Sequence, residues 1–182
     1  LKRLLECLQW QKKRSGQVAE RWLLKTPHHI HHIATLLSVF PDAKIVQTHR
    51  DPLQTIPSAA SMNYNLWIMC SDNVDGKVVG EQWAAKYARG TLHTLQVRDK
   101  QPQSFLDVWY KDTVVDPLSS VKKVYDFIDM DLTDTARAAM EKHQEDNRRD
   151  SRPSHEYTLE QFGLTEEGLK AQFAEYRKRF VD

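Results

Sequence analysis

The sequence predicts an α/β domain in which a parallel sheet is flanked by helices. Three short apolar runs, over 21–25, 44–49 and 105–109, alternate with segments of helical periodicity. Each run also delivers a special residue to its carboxyl end: Lys25, Arg50 and Tyr110. In parallel α/β sheets ligands gather at the carboxyl ends of the strands. Two cations and an aromatic ring brought to one edge make a nucleotide or phosphate site.

In chain order, Leu1, Leu4, Leu5 and Leu8 repeat at helical spacing among basic residues, and Gly16 is the stop. Trp22-Leu23-Leu24, set between polar residues, is too brief for a helix and reads as the first strand, Arg21 to Lys25. A helix is expected from His28 to Phe40, with Ile30, Ile33, Ala34, Leu37 and Phe40 on one side, ended by Pro41-Asp42. Lys44 to His49 is the second strand. Asp51-Pro52 then starts a helix: aspartate caps free amides, and proline suits the first helical position. This helix runs towards Cys70, bent near Pro57, which donates no backbone hydrogen bond. A polar loop over 71–76 leads to a helix from Val78 to about Arg98. Phe105 to Trp109 is the third strand. Helices follow from Pro117 to Phe127 and from Thr133 to His143, and Gln144 to Ser154 is a charged loop. Gly163-Leu164-Thr165 opens a last amphipathic helix carrying Leu169, Phe173, Tyr176 and Phe180.

The 182 residues form one domain, or most of one, with 40% hydrophobic and 28% charged residues. A net charge of +1, from 26 basic and 25 acidic residues, argues against a nucleic-acid binder. Cys7 and Cys70 lie far apart and read as buried or incidental thiols, compatible with a reducing cytoplasm. No apolar run reaches membrane-spanning length, and no signal-peptide pattern opens the chain. The first residue is Leu1 rather than Met, so the expectation is a chain that begins inside a longer protein.

The most informative stretch is Lys44-Ile-Val-Gln-Thr-His-Arg-Asp-Pro-Leu-Gln-Thr-Ile-Pro-Ser58. An arginine at a strand end can address a phosphate with two hydrogen bonds. Ser58, eight residues on, lies about two turns into the next helix, where its hydroxyl could reach the same anion. Equally open is a structural reading, with Arg50 paired to a nearby carboxylate and Ser58 a tolerated helix serine.

Arg50 and Ser58, so spaced after an apolar strand, resemble the 3′-phosphate motif of sulfotransferases that use 3′-phosphoadenosine 5′-phosphosulfate (PAPS). Trp22-Leu-Leu-Lys-Thr-Pro-His28, Val39-Phe-Pro-Asp-Ala-Lys-Ile-Val46 and His49-Arg-Asp-Pro52 are similar to the bacterial branch of that family. Tyr110-Lys-Asp-Thr-Val-Val-Asp-Pro117 resembles its Tyr-Glu-Asp-Leu-x-x-Asp-Pro segment. His155-Glu-Tyr-Thr-Leu-Glu-Gln-Phe-Gly-Leu164 resembles its His-x-Tyr-x-Leu-x-x-Phe-Gly-Leu. Four segments in the right order, from Trp22 to the end, make the resemblance specific. It implies a P-loop-like sheet, incomplete at the N-terminus, in a single sulfotransferase-like domain over residues 1–182.

The resemblance further implies that Arg50 and Ser58 hold the 3′-phosphate of PAPS and that Tyr110 lies against the adenine; a core tyrosine at a strand end is the alternative. Lys25 matches a lysine near the transferred sulfuryl group, where a cation neutralises charge on the bridging oxygen. His28 is the candidate general base, an imidazole being suited to that near neutral pH; its alternative is a helix cap. Arg148, Arg149 and Arg152 lie in a charged loop that closes over the nucleotide or is simply solvated. A metal reading of His28-His29-Ile30-His31-His32 finds no cysteine or nearby carboxylate to complete it, and the family requires no metal.

One family element is missing. The glycine-rich loop after the first strand, which holds the 5′-phosphosulfate, has no counterpart; Arg14-Ser15-Gly16 follows a helix. The expectation is therefore a sulfotransferase moving a sulfuryl group from PAPS to a hydroxyl or amine of a small-molecule acceptor, inactive as this isolated chain. The incomplete sheet edge favours self-association. The alternative is a non-catalytic nucleotide-binding or assembly module. A kinase-like phosphotransferase would need Mg²⁺ and a lysine-containing phosphate loop, which the sequence does not show.

Overall fold

The computed structural model describes residues 1–17, 21–147 and 156–182. Its sheet has two strands, β1 (Ile45–His49) and β2 (Phe105–Trp109), paired in parallel with Ile45 opposite Phe105 and His49 opposite Trp109. Both were legible as apolar runs. A parallel pair needs a long crossover, and here it is α3 (Pro52–Ile68) followed by α4 (Gly76–Arg98). Asp51 caps α3 by accepting the Leu53 N–H at 2.9 Å, with Pro52 in the first turn. Pro57 lies inside α3, as expected. Asp75 caps α4 in the same way through Lys77 N–H, 2.8 Å.

Before the sheet come α1 (Lys2–Arg14), a 3₁₀ turn (Pro27–His31) and α2 (Ile33–Val39). After it come α5 (Tyr110–Val115), α6 (Pro117–Phe127), α7 (Asp134–Asp146), α8 (Glu166–Gln172) and α9 (Ala174–Phe180).

Several expectations are corrected. Arg21 to Lys25 is not a strand: among the described residues no strand pairs with it, and Leu23 is 94% exposed. An extended segment becomes a strand only when a neighbour accepts its ladder of hydrogen bonds. The helix expected from His28 is two pieces, 3₁₀ then α, because His32 (φ −134°) leaves helical geometry between them. The helix after Thr133 runs on to Asp146, into the segment read as loop. The last helix is broken at Phe173. Cys7 and Cys70 are both exposed rather than buried.

Two cores hold the elements. In the larger, Ile56 and Ala60 of α3 and Ala84 of α4 meet Phe162, Leu164, Leu169 and Phe173. The smaller joins Ile33 and Leu37 of α2 to Phe105 of β2. The C-terminal elements thus plug the groove between α3 and α4, which fixes α9 beside the carboxyl end of the sheet. On α1 only Leu5 is buried, while Leu4, Leu8 and Trp10 are exposed. Among the described residues no helix is long and apolar enough to cross a membrane.

Candidate functional site

The register of the sheet builds the site. Because His49 stands opposite Trp109, the next residues, Arg50 and Tyr110, leave the sheet side by side. The Arg50 guanidinium carbon lies 4.3 Å from the centre of the Tyr110 ring, a cation–π contact. Arg50 Nε donates to Gln54 Oε1 one turn into α3 at 2.9 Å, so the guanidinium is held at one corner by Gln54 and on one face by Tyr110. The carboxylate partner of the structural reading is absent among the described residues. Asp51 is the adjacent acid, and it is taken by the α3 amide and by Arg177 Nη1. Ser58 is half-buried on α3, two turns further on.

Beneath this turn lies a polar network that sequence reading missed. His49, 1% exposed, is stacked on Phe180 with ring centres 3.9 Å apart. Its Nδ1 is 3.0 Å from the Tyr176 hydroxyl and its Nε2 is 2.8 Å from Asp107 Oδ1. Asp107 Oδ2 accepts from Arg98 Nη2 (2.7 Å), and Arg98 Nη1 donates to Gln47 Oε1 (3.0 Å). The only local signal was a histidine and a glutamine inside an apolar strand. Their partners lie 58 and 51 residues away, and Tyr176 lies 127 from His49.

Burial pushes the His49 imidazole below its ordinary value, against the opposing hydrogen bond and charge of Asp107. Burial acts the other way on Asp107, but the hydrogen bonds from Arg98 and His49 outweigh it and hold the carboxyl low. The ion pair is therefore Asp107 with Arg98, and His49 is a neutral donor to it. Burial pushes the Tyr176 phenol up to about 12, with the Arg50 backbone amide pulling the other way.

Lys25 lies on the segment leading into the first 3₁₀ turn and His28 within that turn, and both are exposed. Thr26, not His28, is the cap, its side chain accepting from His28 N–H at 3.3 Å. The His28 ring is 6.2 Å from that of Trp83 on α4. A 3₁₀ turn does not bring His28 and His32 onto one face as an α-helix would. Among the described residues no group of three or more His, Cys, Asp or Glu could hold a metal ion. The structure thus joins Arg50 with Tyr110. It leaves Lys25 without the strand that was to carry it to the same edge. Arg148, Arg149 and Arg152 lie outside the described residues.

A model of the sulfotransferase family matches residues 3–134, more than two thirds of the chain. The chain belongs to the sulfotransferase family. Two crystal structures of sulfotransferases share the fold. STF9 from Mycobacterium avium is 29% identical with TM-score 0.75, over 88% of this chain and 42% of that one. STF1 from Mycobacterium tuberculosis H37Rv is 32% identical with TM-score 0.73, over 85% of this chain and 40% of that one. Among curated proteins, the ω-hydroxy-β-dihydromenaquinone-9 sulfotransferase Stf3 of Mycobacterium bovis is 25% identical over 151 residues, 80% of this chain and 38% of its own length. The chain thus spans about two fifths of the length of these relatives. With the fold shared, the P-loop-like α/β class expected from the sequence holds.

Within this sulfotransferase fold the segment ending Phe162-Gly163-Leu164 is a packing device. Leu159, Phe162 and Leu164 belong to the larger core, and Gly163 (φ +63°) turns the chain in the left-handed region.

The buried His49 and the half-buried His31 give this sulfotransferase domain a pH-dependent stability. His31, like His49, sits below its ordinary 6.5, through burial first and then Lys86, His28, His32 and Arg89. As pH falls through that range the unfolded chain takes up protons that the folded chain refuses, so stability falls with pH. Urea midpoints are expected to be lower at about pH 5.5 than at about pH 7.5; an equal or higher midpoint would contradict it. On the alkaline side the folded Tyr176 keeps its proton up to about 12, so stability declines as pH rises past the ordinary tyrosine value of 10.0.

Proposed function

We propose that the chain is the acceptor-side and 3′-phosphate-binding part of a sulfotransferase that moves a sulfuryl group from PAPS to a hydroxyl or amine of a small molecule. The observation that carries it is the Arg50–Tyr110 pair at the carboxyl end of β1 and β2. There a guanidinium is backed by a ring and held at Nε by Gln54. Its two terminal nitrogens form the planar fork that matches a phosphate. Ser58 adds a hydroxyl two turns along α3, and Tyr110 offers a ring to the adenine. The Asp51 carboxylate next door does not repel the phosphate, because Arg177 neutralises it.

In the reaction an acceptor oxygen or nitrogen attacks sulfur as the bond from sulfur to the 5′-phosphate oxygen breaks. The electron pair stays with the departing 3′,5′-bisphosphate. Lys25 is assigned to charge on the leaving oxygen and His28 to the acceptor's proton. Among the 182 residues no glycine-rich loop follows a strand, so in this reading the polypeptide alone turns over nothing.

Arg50→Ala is expected to weaken binding of adenosine 3′,5′-bisphosphate by about 2–3 kcal/mol, the worth of a charge-assisted bidentate contact. Binding of adenosine 5′-phosphate should change far less. Equal losses for the two nucleotides in calorimetry would remove Arg50 from the 3′-phosphate. Binding of the bisphosphate by a loop-bearing protein that never transfers would favour the second reading, a nucleotide-binding module.

A further inference from the structure

We infer that Tyr176 and His49 are positioning residues for Arg50, forming a hydrogen-bond relay that runs from α9 through the last residue of β1 to α4 and sets the angle of the guanidinium next along the chain. The inference rests on the reading of Arg50 as the 3′-phosphate ligand.

The donors and acceptors admit one consistent order. Asp107 carries an ionised carboxylate, which only accepts, so the proton on the imidazole facing it is on Nε2. With His49 neutral, Nδ1 is then a lone pair. The Tyr176 hydroxyl, 3.0 Å from that lone pair, therefore donates its O–H to Nδ1. The order is Tyr176 O–H to His49, His49 Nε2–H to Asp107, and Arg98 to the other oxygen of Asp107. Arg98 continues to Gln47, returning the chain to β1.

Geometry rules out slack in this chain. His49 stacks on Phe180 at 3.9 Å and meets Trp109 at 5.4 Å, and the Trp109 indole N–H is itself tied to the Phe180 carbonyl at 3.0 Å. Arg177, next to Tyr176, holds Asp51 on the other side of Arg50. Three residues of α9 (Tyr176, Arg177 and Phe180) therefore grip His49 and Asp51, the residues on either side of Arg50. A hydrophobic core alone would hold the turn without polar groups. Buried polar chains are retained where a unique geometry matters.

The test compares Tyr176→Phe, which keeps the ring and its packing, with Arg50→Ala. Tyr176→Phe is expected to weaken adenosine 3′,5′-bisphosphate about 5–10-fold, as loss of one hydrogen-bonded link would, and to leave adenosine 5′-phosphate unchanged. The Arg50 amide should exchange with solvent at least about 10-fold faster, while the Val108 amide in β2 keeps its protection. Loss of affinity for both nucleotides alike, or no change in either nucleotide or in Arg50 exchange, overturns the relay. A separate measurement needs no ligand: ¹⁵N chemical shifts should show His49 protonated on Nε2 and bare on Nδ1 at neutral pH. The opposite tautomer, or a charged ring, also overturns it. If Arg50→Ala itself loses both nucleotides equally, the nucleotide reading has failed. Faster Arg50 exchange in Tyr176→Phe would then still register a relay, one without a phosphate to serve.

Discussion

Gly80→Ala is expected to destabilise the domain by about 3 kcal/mol or more, although alanine is the better helix former. Gly80 is buried in α4 where the 3₁₀ turn Glu160–Phe162 crosses it. A Cβ there would lie 2.0 Å from the Phe162 carbonyl oxygen, 2.7 Å from Phe162 Cβ and 2.9 Å from its carbonyl carbon. Two of those three atoms are backbone, so no side-chain rotation relieves the contact; the whole turn has to move. That turn carries Phe162 into the larger core beside Ala84 and Leu169, so moving it also opens the packing there. The gain of about 1 kcal/mol in helix propensity opposes the clash and does not cancel it. For a domain of this size the melting temperature should fall by roughly 6–12 °C. Gly168→Ala is the milder comparison: its nearest neighbour is the Thr165 side-chain oxygen at 2.9 Å, the α8 cap, so it puts at risk one cap worth about 1 kcal/mol and meets no backbone. Equal melting temperatures for the Gly80 variant and the parent would show that the 160–162 turn does not rest on α4 as described.

Local signals made most of this fold legible. β1 and β2 are short apolar runs with turn residues at both ends, and Asp51-Pro52 and Asp116-Pro117 each place an acceptor before an N-terminal proline. What failed was non-local. Trp22-Leu23-Leu24 has the composition of a strand, but a strand is completed by a partner, and Arg21 to Lys25 finds none among the described residues. α5 was missed because Thr113-Val114-Val115 is β-branched and reads as extended chain. It is helical in spite of propensity, with Thr113 Oγ1 donating back to the Trp109 carbonyl at 3.1 Å.

The candidate site divides along the same line. Arg50 was readable because its meaning lies in a spacing, and its contact with Tyr110 follows from two strand ends in register. The relay under it was not readable, since no window contains His49, Arg98, Asp107 and Tyr176 together.

His28→Ala is expected to cut sulfuryl transfer to a hydroxyl acceptor by about 10²–10⁴-fold, measured in a protein that also carries a 5′-phosphosulfate loop. A hydroxyl attacking sulfur must shed its proton during the attack, and an imidazole takes it near neutral pH without being trapped in the charged form. His28 has the required access. It is exposed, three residues after Lys25, at the start of a turn whose leading amide is already capped by Thr26. Its ring therefore has no capping task, and the ring of Trp83 lies 6.2 Å away. Folding should be little affected, within about 0.5 kcal/mol, as for other exposed substitutions. Affinity for adenosine 3′,5′-bisphosphate should be nearly unchanged, because Arg50 and Ser58 stand on other elements. The loss is then one of turnover and not of binding, which separates a base from a residue that shapes the nucleotide site. His32→Ala is the matched control: it removes another exposed imidazole of the same cluster and should stay within a few-fold of the parent. If His28→Ala does the same, the proton goes elsewhere and His28 only decorates the turn.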